Sequence, residues 1–200
     1  MRLRGAVPTL AILLGLTLVP SLAEATLMEA MSLEQLVAES DLVAVVTCTD
    51  ERASYDDRQR IVTDYALAVE EVLKGAATSR ATMRRLGGEI GDIGMRIEGE
   101  PGLVPGQRYV VFLRRFDGGV DRPVGMSQGV LRIEEAAGVL RVLPGGGGLS
   151  LVQRDPTGGL RPAPSALLHP EALDAVRERI DRIVARQLGT SDGADGALRP

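Results

Sequence analysis

The chain has 200 residues, 44% of them hydrophobic and 25% charged, which is the composition of an ordinary globular protein with one core. Aromatics are 2% with no Trp, so the core is built from aliphatic side chains, and stacking platforms for sugars or bases are excluded. The formal net charge is −4 and the basic residues are dispersed, which argues against a nucleic-acid surface.

Residues 1–25 read as a secretory signal: Arg2 and Arg4, an apolar run from Ala6 to Pro20, then small residues ending Ala23-Glu24-Ala25. The run is short for the roughly 20 residues of a spanning helix, so cleavage after Ala25 and no stable membrane anchor are expected. Removing Arg2, Arg4 and Glu24 leaves 21 basic and 26 acidic residues, a net of −5. A lone Cys48 allows no internal disulfide, and its place in the apolar run Val43 to Cys48 makes it a buried small hydrophobe.

Ser32-Leu33-Glu34-Gln35 has the capping-box form and predicts a short helix from Ser32 to Ser40. Leu42 to Cys48 is a continuous β-branched run, suited to a strand buried on both faces. Asp50 to Arg60 is polar and is expected to be a loop. Ile61 to Leu73 alternates over an unusual length, with a slip at Glu70 and Glu71 that predicts a bulge in a long bent strand. Ala81 to Leu86 is the next strand.

Gly87-Gly88-Glu89-Ile90-Gly91-Asp92-Ile93-Gly94 has the glycine density of a phosphate loop. Such loops place their amides at the start of a helix, whereas here Met95 to Gly99 alternates apolar and polar up to Pro101. A turn between strands is expected. Arg108 to Phe116 predicts the central strand, apolar on both faces, with further strands at Val124 to Met126, Gly129 to Glu134 and Val139 to Leu143, and an edge strand at Leu149 to Gln153.

Asp155 to Pro164 is rich in Pro and Gly, and residues 155–169 are expected to link a β domain over 26–154 to a helix over 170–188. That helix carries a stripe of Leu173, Val176, Ile180, Ile183, Val184 and Leu188, with Pro170 in its first turn and Gly189 at its end. Residues 189–200 are expected to be a disordered tail.

Catalytic chemistry is sparse. The one histidine, His169, precedes Pro170 and is placed to cap a turn. No nucleophile elbow or spaced His/Cys cluster occurs, so no catalytic, cofactor or metal residue is assigned. Asp56/Asp57, Glu70/Glu71 and Glu134/Glu135 are adjacent carboxylates, which point to opposite faces on a strand. The expected function is a noncatalytic exported module, periplasmic or extracellular, that binds an unknown protein or small ligand. The alternatives are a secreted enzyme using loop carboxylates and a protease inhibitor. Convergence of Asp56, Asp57 and Asp92 in one cleft would favour the enzyme, and an exposed apolar patch the binding module.

The motifs SLEQLVAESDLVAVV, TDYALAVEEVLKG, LGGEIG, PGLVPGQRYVVFL and VGMSQGVLRI resemble a group of uncharacterised bacterial secreted proteins, over Met31 to Ile133. The resemblance implies no known reaction. A helix, a strand and a long strand ending in Leu-Lys-Gly are also similar to the OB-like barrel of tissue inhibitors of metalloproteinases and netrin-type modules. It implies an antiparallel barrel, closed or partly open, of about five to seven strands. Those inhibitors chelate zinc through an N-terminal Cys, whereas this chain would begin Thr26-Leu27-Met28 after cleavage.

Overall fold

The computed structural model describes residues 26–116 and 119–195, so the signal segment expected over 1–25 lies outside the described residues. The chain forms β1 (Thr26–Glu29), α1 (Leu33–Glu39), β2 (Leu42–Tyr55), β3 (Ile61–Lys74), β4 (Arg80–Leu86), β5 (Gly88–Ile90), β6 (Ile93–Met95) and β7 (Arg108–Phe116). There follow β8 (Val120–Pro123), a 3-10 turn (Met126–Gly129), β9 (Val130–Ala136), β10 (Val139–Val142), β11 (Leu149–Arg154), β12 (Leu160–Pro162), β13 (Glu171–Ala172) and α2 (Leu173–Asp195).

The fold is mainly β. Eight strands make one sheet in the order β13-β10-β9-β7-β2-β3-β4-β8, and β1-β11-β12 and the β5-β6 hairpin stand as smaller sheets. Strand β8 pairs antiparallel with β7 over four residues, yet meets β4 only at Met83↔Asp121. The expected barrel is closed or partly open, and its closure is not clearly formed. One residue pair is too little hydrogen bonding to seal the seam, and β9, β10 and β13 carry the sheet onward from β7.

Both long apolar runs lie in the middle of this sheet. On β2, Val43 and Val45 face one apolar cluster while Ala44, Val46 and Cys48 face another; on β7, Val110 and Phe112 face the first while Tyr109, Val111 and Leu113 face the second. Strict alternation of side chains puts successive residues on opposite faces, so a strand covered on both sides must be apolar at every position.

The expected loop from Asp50 to Arg60 is a strand as far as Tyr55, because Ala53↔Thr63 and Tyr55↔Ile61 continue the β2–β3 ladder. Ladder hydrogen bonds satisfy the backbone whether or not the side chains are buried, which is why a polar segment stays extended. Register shifts leave Leu73, Glu70 and Thr49 unpaired, so the expected bulge is present and recurs along the pair. The strand expected at Val124 to Met126 is instead a turn entering the 3-10 segment, and the strand lies earlier, at Val120–Pro123.

Helix α1 starts at Ser32 as a full capping box, with Gln35 N–H donating to Ser32 Oγ at 3.2 Å and Ser32 N–H to Gln35 Oε1 at 2.7 Å. Helix α2 corrects three expectations. It begins at Leu173, because Glu171–Ala172 pairs with β10, so Pro170 lies before the helix. It runs through Gly189 to Asp195, and residues 196–200 lie outside the described residues. Nor is it tethered loosely: Leu173, Val176, Ile180 and Ile183 share a core with α1, β2, β7 and β9, and Leu167 of the presumed linker is fully buried there.

Candidate functional site

The residues that carried the sequence motifs turn out to hold the fold. Ser40 Oγ donates to Leu36 O at 2.6 Å, and Asp41 Oδ2 accepts from Arg115 N–H at 2.8 Å. Lys74 Nζ donates to Val37 O at 2.6 Å and Ala38 O at 3.4 Å, satisfying carbonyls at the end of α1. Thr63 Oγ1 donates to Gly87 O at 2.7 Å, and Tyr109 OH accepts from Val104 N–H at 2.9 Å.

The glycine-rich stretch is the β5-β6 hairpin, turned at Gly91-Asp92, with Gly88↔Met95 and Ile90↔Ile93 in register. No helix follows it, so its amides serve a ladder rather than a phosphate. Gly87 and Gly88 have φ of +88° and +142°, and a Cβ at Gly88 would lie 2.3 Å from Thr63 Oγ1.

That hairpin walls a cleft of about 870 Å³. The other walls are Glu51 and Ala53 of β2, Thr63 of β3, Arg85 of β4, the segment 96–100, and Gly147-Gly148 ahead of β11. Arg85 Nε donates to Tyr65 OH at 2.8 Å, and Glu98 Oε1 accepts from Arg96 at 2.9 Å. Glu51, Glu89 and Glu100 make no ion pair among the described residues. Burial pushes the Glu100 carboxyl above its ordinary range, opposed by the Leu86 N–H and the charges of Arg122 and Arg85.

The carboxylates singled out in the sequence are elsewhere. Asp56 closes the β2–β3 turn, accepting from Arg58 and Arg60 N–H and, through Oδ2, from Arg60 Nε and Nη2 at 2.9 and 2.7 Å. The Arg60 contacts hold it down to about 2. Asp57 and Asp92 are exposed in two separate turns, and none of the three lines the cleft. Glu70 bonds Thr47 and Arg108 while Glu71 pairs with Arg177 at 2.7 Å. Glu134 pairs with Arg132, and Glu135 is exposed.

His169 is exposed ahead of β13. Cys48 is fully buried, and burial pushes its thiol up. Among the described residues no group of three or more His, Cys, Asp or Glu is arranged to hold a metal ion, and no helix is long and apolar enough to cross a membrane.

Sequence reasoning did not find the cleft. Its one advance signal was the glycine density of 87–94, which marks the wall without naming Glu51, Arg85 or Glu100. No family model matches the chain, and no curated protein or solved structure matches it either.

Proposed function

We propose that this is a noncatalytic exported binding module, periplasmic or extracellular, whose ligand site is the cleft beneath the β5-β6 hairpin. The observation that carries the reading is the contrast in how polar groups are used. The motif side chains are committed to hydrogen bonds within the fold, whereas Glu51, Glu89 and Glu100 line an open concavity with no ion pair of their own. Carboxylates without an ion pair beside glycine backbone, Glu100 holding only the Leu86 N–H, suit a polar ligand that brings hydrogen-bond donors or positive charge.

The OB-like relationship belongs to the same proposal, supported by the succession β2, β3, β4, β8, β7, in which β8 touches both its neighbours. The enzyme alternative loses its supporting observation because Asp56, Asp57 and Asp92 are apart from the cleft. The inhibitor alternative has none in its favour, since Thr26–Glu29 is paired along β11.

Titration of the labelled protein with spermidine or trilysine, followed by amide NMR, tests the reading. Shifts at Gly88, Gly94, Gly147 and Gly148, weakened by Glu100→Gln and absent with triglutamate, are expected. Shifts confined to other surfaces, or none with any polar probe, would overturn it.

A further inference from the structure

The 3-10 turn Met126–Gly129 is shaped at a cost that its own few hydrogen bonds do not explain. Met126 has φ +57°, in the left-handed region that non-glycine residues seldom occupy. On either side of it, a Cβ at Gly125 would lie 2.7 Å from Met31 Sδ, and one at Gly129 would lie 2.2 Å from Val124 O. Within the turn, Ser127 and Gln128 are both buried. Polar groups buried at a strained position persist only where the bonds they make elsewhere hold them.

Those bonds run to three other segments. Ser127 N–H donates to Gly99 O at 2.9 Å, Gly146 N–H donates to Ser127 O at 3.0 Å, and Ser127 Oγ donates to Gly147 O at 3.1 Å. Gly99 and Gly147 are cleft walls. Gln128 faces the other way: its Oε1 accepts from Met31 N–H at 2.9 Å and its Nε2 donates to Glu29 O at 3.2 Å.

The third segment closes the circuit. Residues 26–29 are β1, laid parallel on β11 from Thr26↔Leu149 to Glu29↔Val152, and Ala30 N–H adds a bond to Val152 O at 2.8 Å. Strand β11 starts one residue after the cleft wall Gly147-Gly148, and Leu149 packs where a Cβ on Gly99 would intrude, 2.3 Å from its Cδ2. The path thus runs from β1 through β11 to the wall, then through Ser127 and Gln128 back to Glu29 and Met31 at the end of β1.

We propose that β1 is a strap that sets the position of one cleft wall, latched by Gln128, so that docking of the strap and the shape of the cleft rise and fall together. Strand β1 is mostly exposed and buries little, which places its release among the low-energy local openings of the molecule. The main sheet does not depend on it, since β2 pairs with both β3 and β7 while the strap pairs only with β11. By linkage, a ligand that favours the present width of the cleft would also hold the strap down. That consequence rests on the cleft being the ligand site, but the coupling itself does not.

Hydrogen exchange followed by mass spectrometry on the full chain tests the coupling without a ligand. Gln128→Glu keeps the acceptor for Met31 N–H and replaces the donor to Glu29 O. Ala30→Pro removes the bond to Val152 O and leaves the turn untouched. Both variants should speed exchange at residues 27–29 and also at 146–152 by about tenfold or more, while β2, β3 and β7 keep their protection. Release of 27–29 alone, with 146–152 still protected in Ala30→Pro, would overturn the proposal. So would unchanged exchange at 27–29 in Gln128→Glu, or an equal loss of protection throughout the main sheet in both. A failed spermidine titration would leave these exchange outcomes intact, so the two readings fail separately.

Discussion

The two cores of this molecule share strands β2 and β7 but are assembled differently. One is built by residues near one another in the strand succession: Tyr65 and Leu67 on β3, Met83 on β4, and Leu103 before β7. The other is covered by two helices far apart in sequence, α1 through Leu33, Leu36 and Val37 and α2 through Leu173, Val176, Ile180 and Ile183. The same sheet therefore rests on adjacent strands on one side and on two sequence-distant helices on the other. A segment separated by a Pro/Gly-rich stretch is still structural here, because burial is decided by complementarity of faces rather than by sequence distance.

Truncation after Pro156 breaks the comparison most severely. It strips Leu167, Leu173, Val176, Ile180 and Ile183 from the helix-side core. Each is worth roughly 1.5 to 3 kcal/mol of burial, against a total stability of about 5 to 15 kcal/mol for a domain. The truncated chain should lose its cooperative thermal transition, although a loosely linked helix would leave the transition unchanged. Circular dichroism melting decides between the two.

Phe112→Ala comes next, since Phe112 is fully buried in the middle of β7 on the helix side. A cost of about 3 to 5 kcal/mol in chemical denaturation is expected. Leu113→Ala, one residue on and facing the other core, should cost about 2 to 5 kcal/mol. If either variant cost under about 1 kcal/mol, that face of β7 would not be the packed core described.

How much of this was legible in the sequence follows from the range of the interactions. The doubly apolar runs of β2 and β7, the capping box at Ser32 and the bulge at Glu70 are written in neighbouring residues, and the structure has all of them. The extension of β2 to Tyr55 was not legible, because polar side chains hide a strand held by its partner ladder. Docking of α2 was not legible either, since an amphipathic stripe states that a face will be buried without saying against what. The cleft was the least legible, because Glu51, Arg85, Glu100 and Gly147 converge from distant segments and no local pattern links them.

The glycine hairpin sharpens the contrast between core and cleft. A Cβ at Gly88 would collide with Thr63 Oγ1, and its φ is +142°; Gly91 has φ +59° and nothing within 4 Å. Gly88→Val should therefore cost about 1 to 3 kcal/mol in backbone strain and roughly another 1 to 3 kcal/mol in overpacking. Gly91→Val should cost only the conformational part, about 1 to 2 kcal/mol. Equal melting temperatures for the two variants would mean that the hairpin does not pack on β3.

The smallest expected effect is at Glu100, and it has the opposite sign. Burial raises this carboxyl above its ordinary 4.5, so between that value and the raised one the folded chain holds a proton that the unfolded chain has released. Stability attributable to Glu100 is therefore greatest below the ordinary value and is lost as pH rises through the folded one. Once ionised, the carboxylate is a half-buried charge, with the Leu86 N–H bonded to it and Arg85 and Arg122 acting only through their charges. Glu100→Gln keeps an acceptor for that N–H and removes the charge, so it should raise the melting temperature slightly at pH 7 and give no gain near pH 4. Such a gain marks a group whose charge the fold does not need, as a ligand-facing carboxylate should be. A loss of stability at pH 7 would instead make Glu100 part of the fold's own ionic framework, alongside Asp56 and Glu70, and would take the cleft's most buried carboxylate away from any ligand.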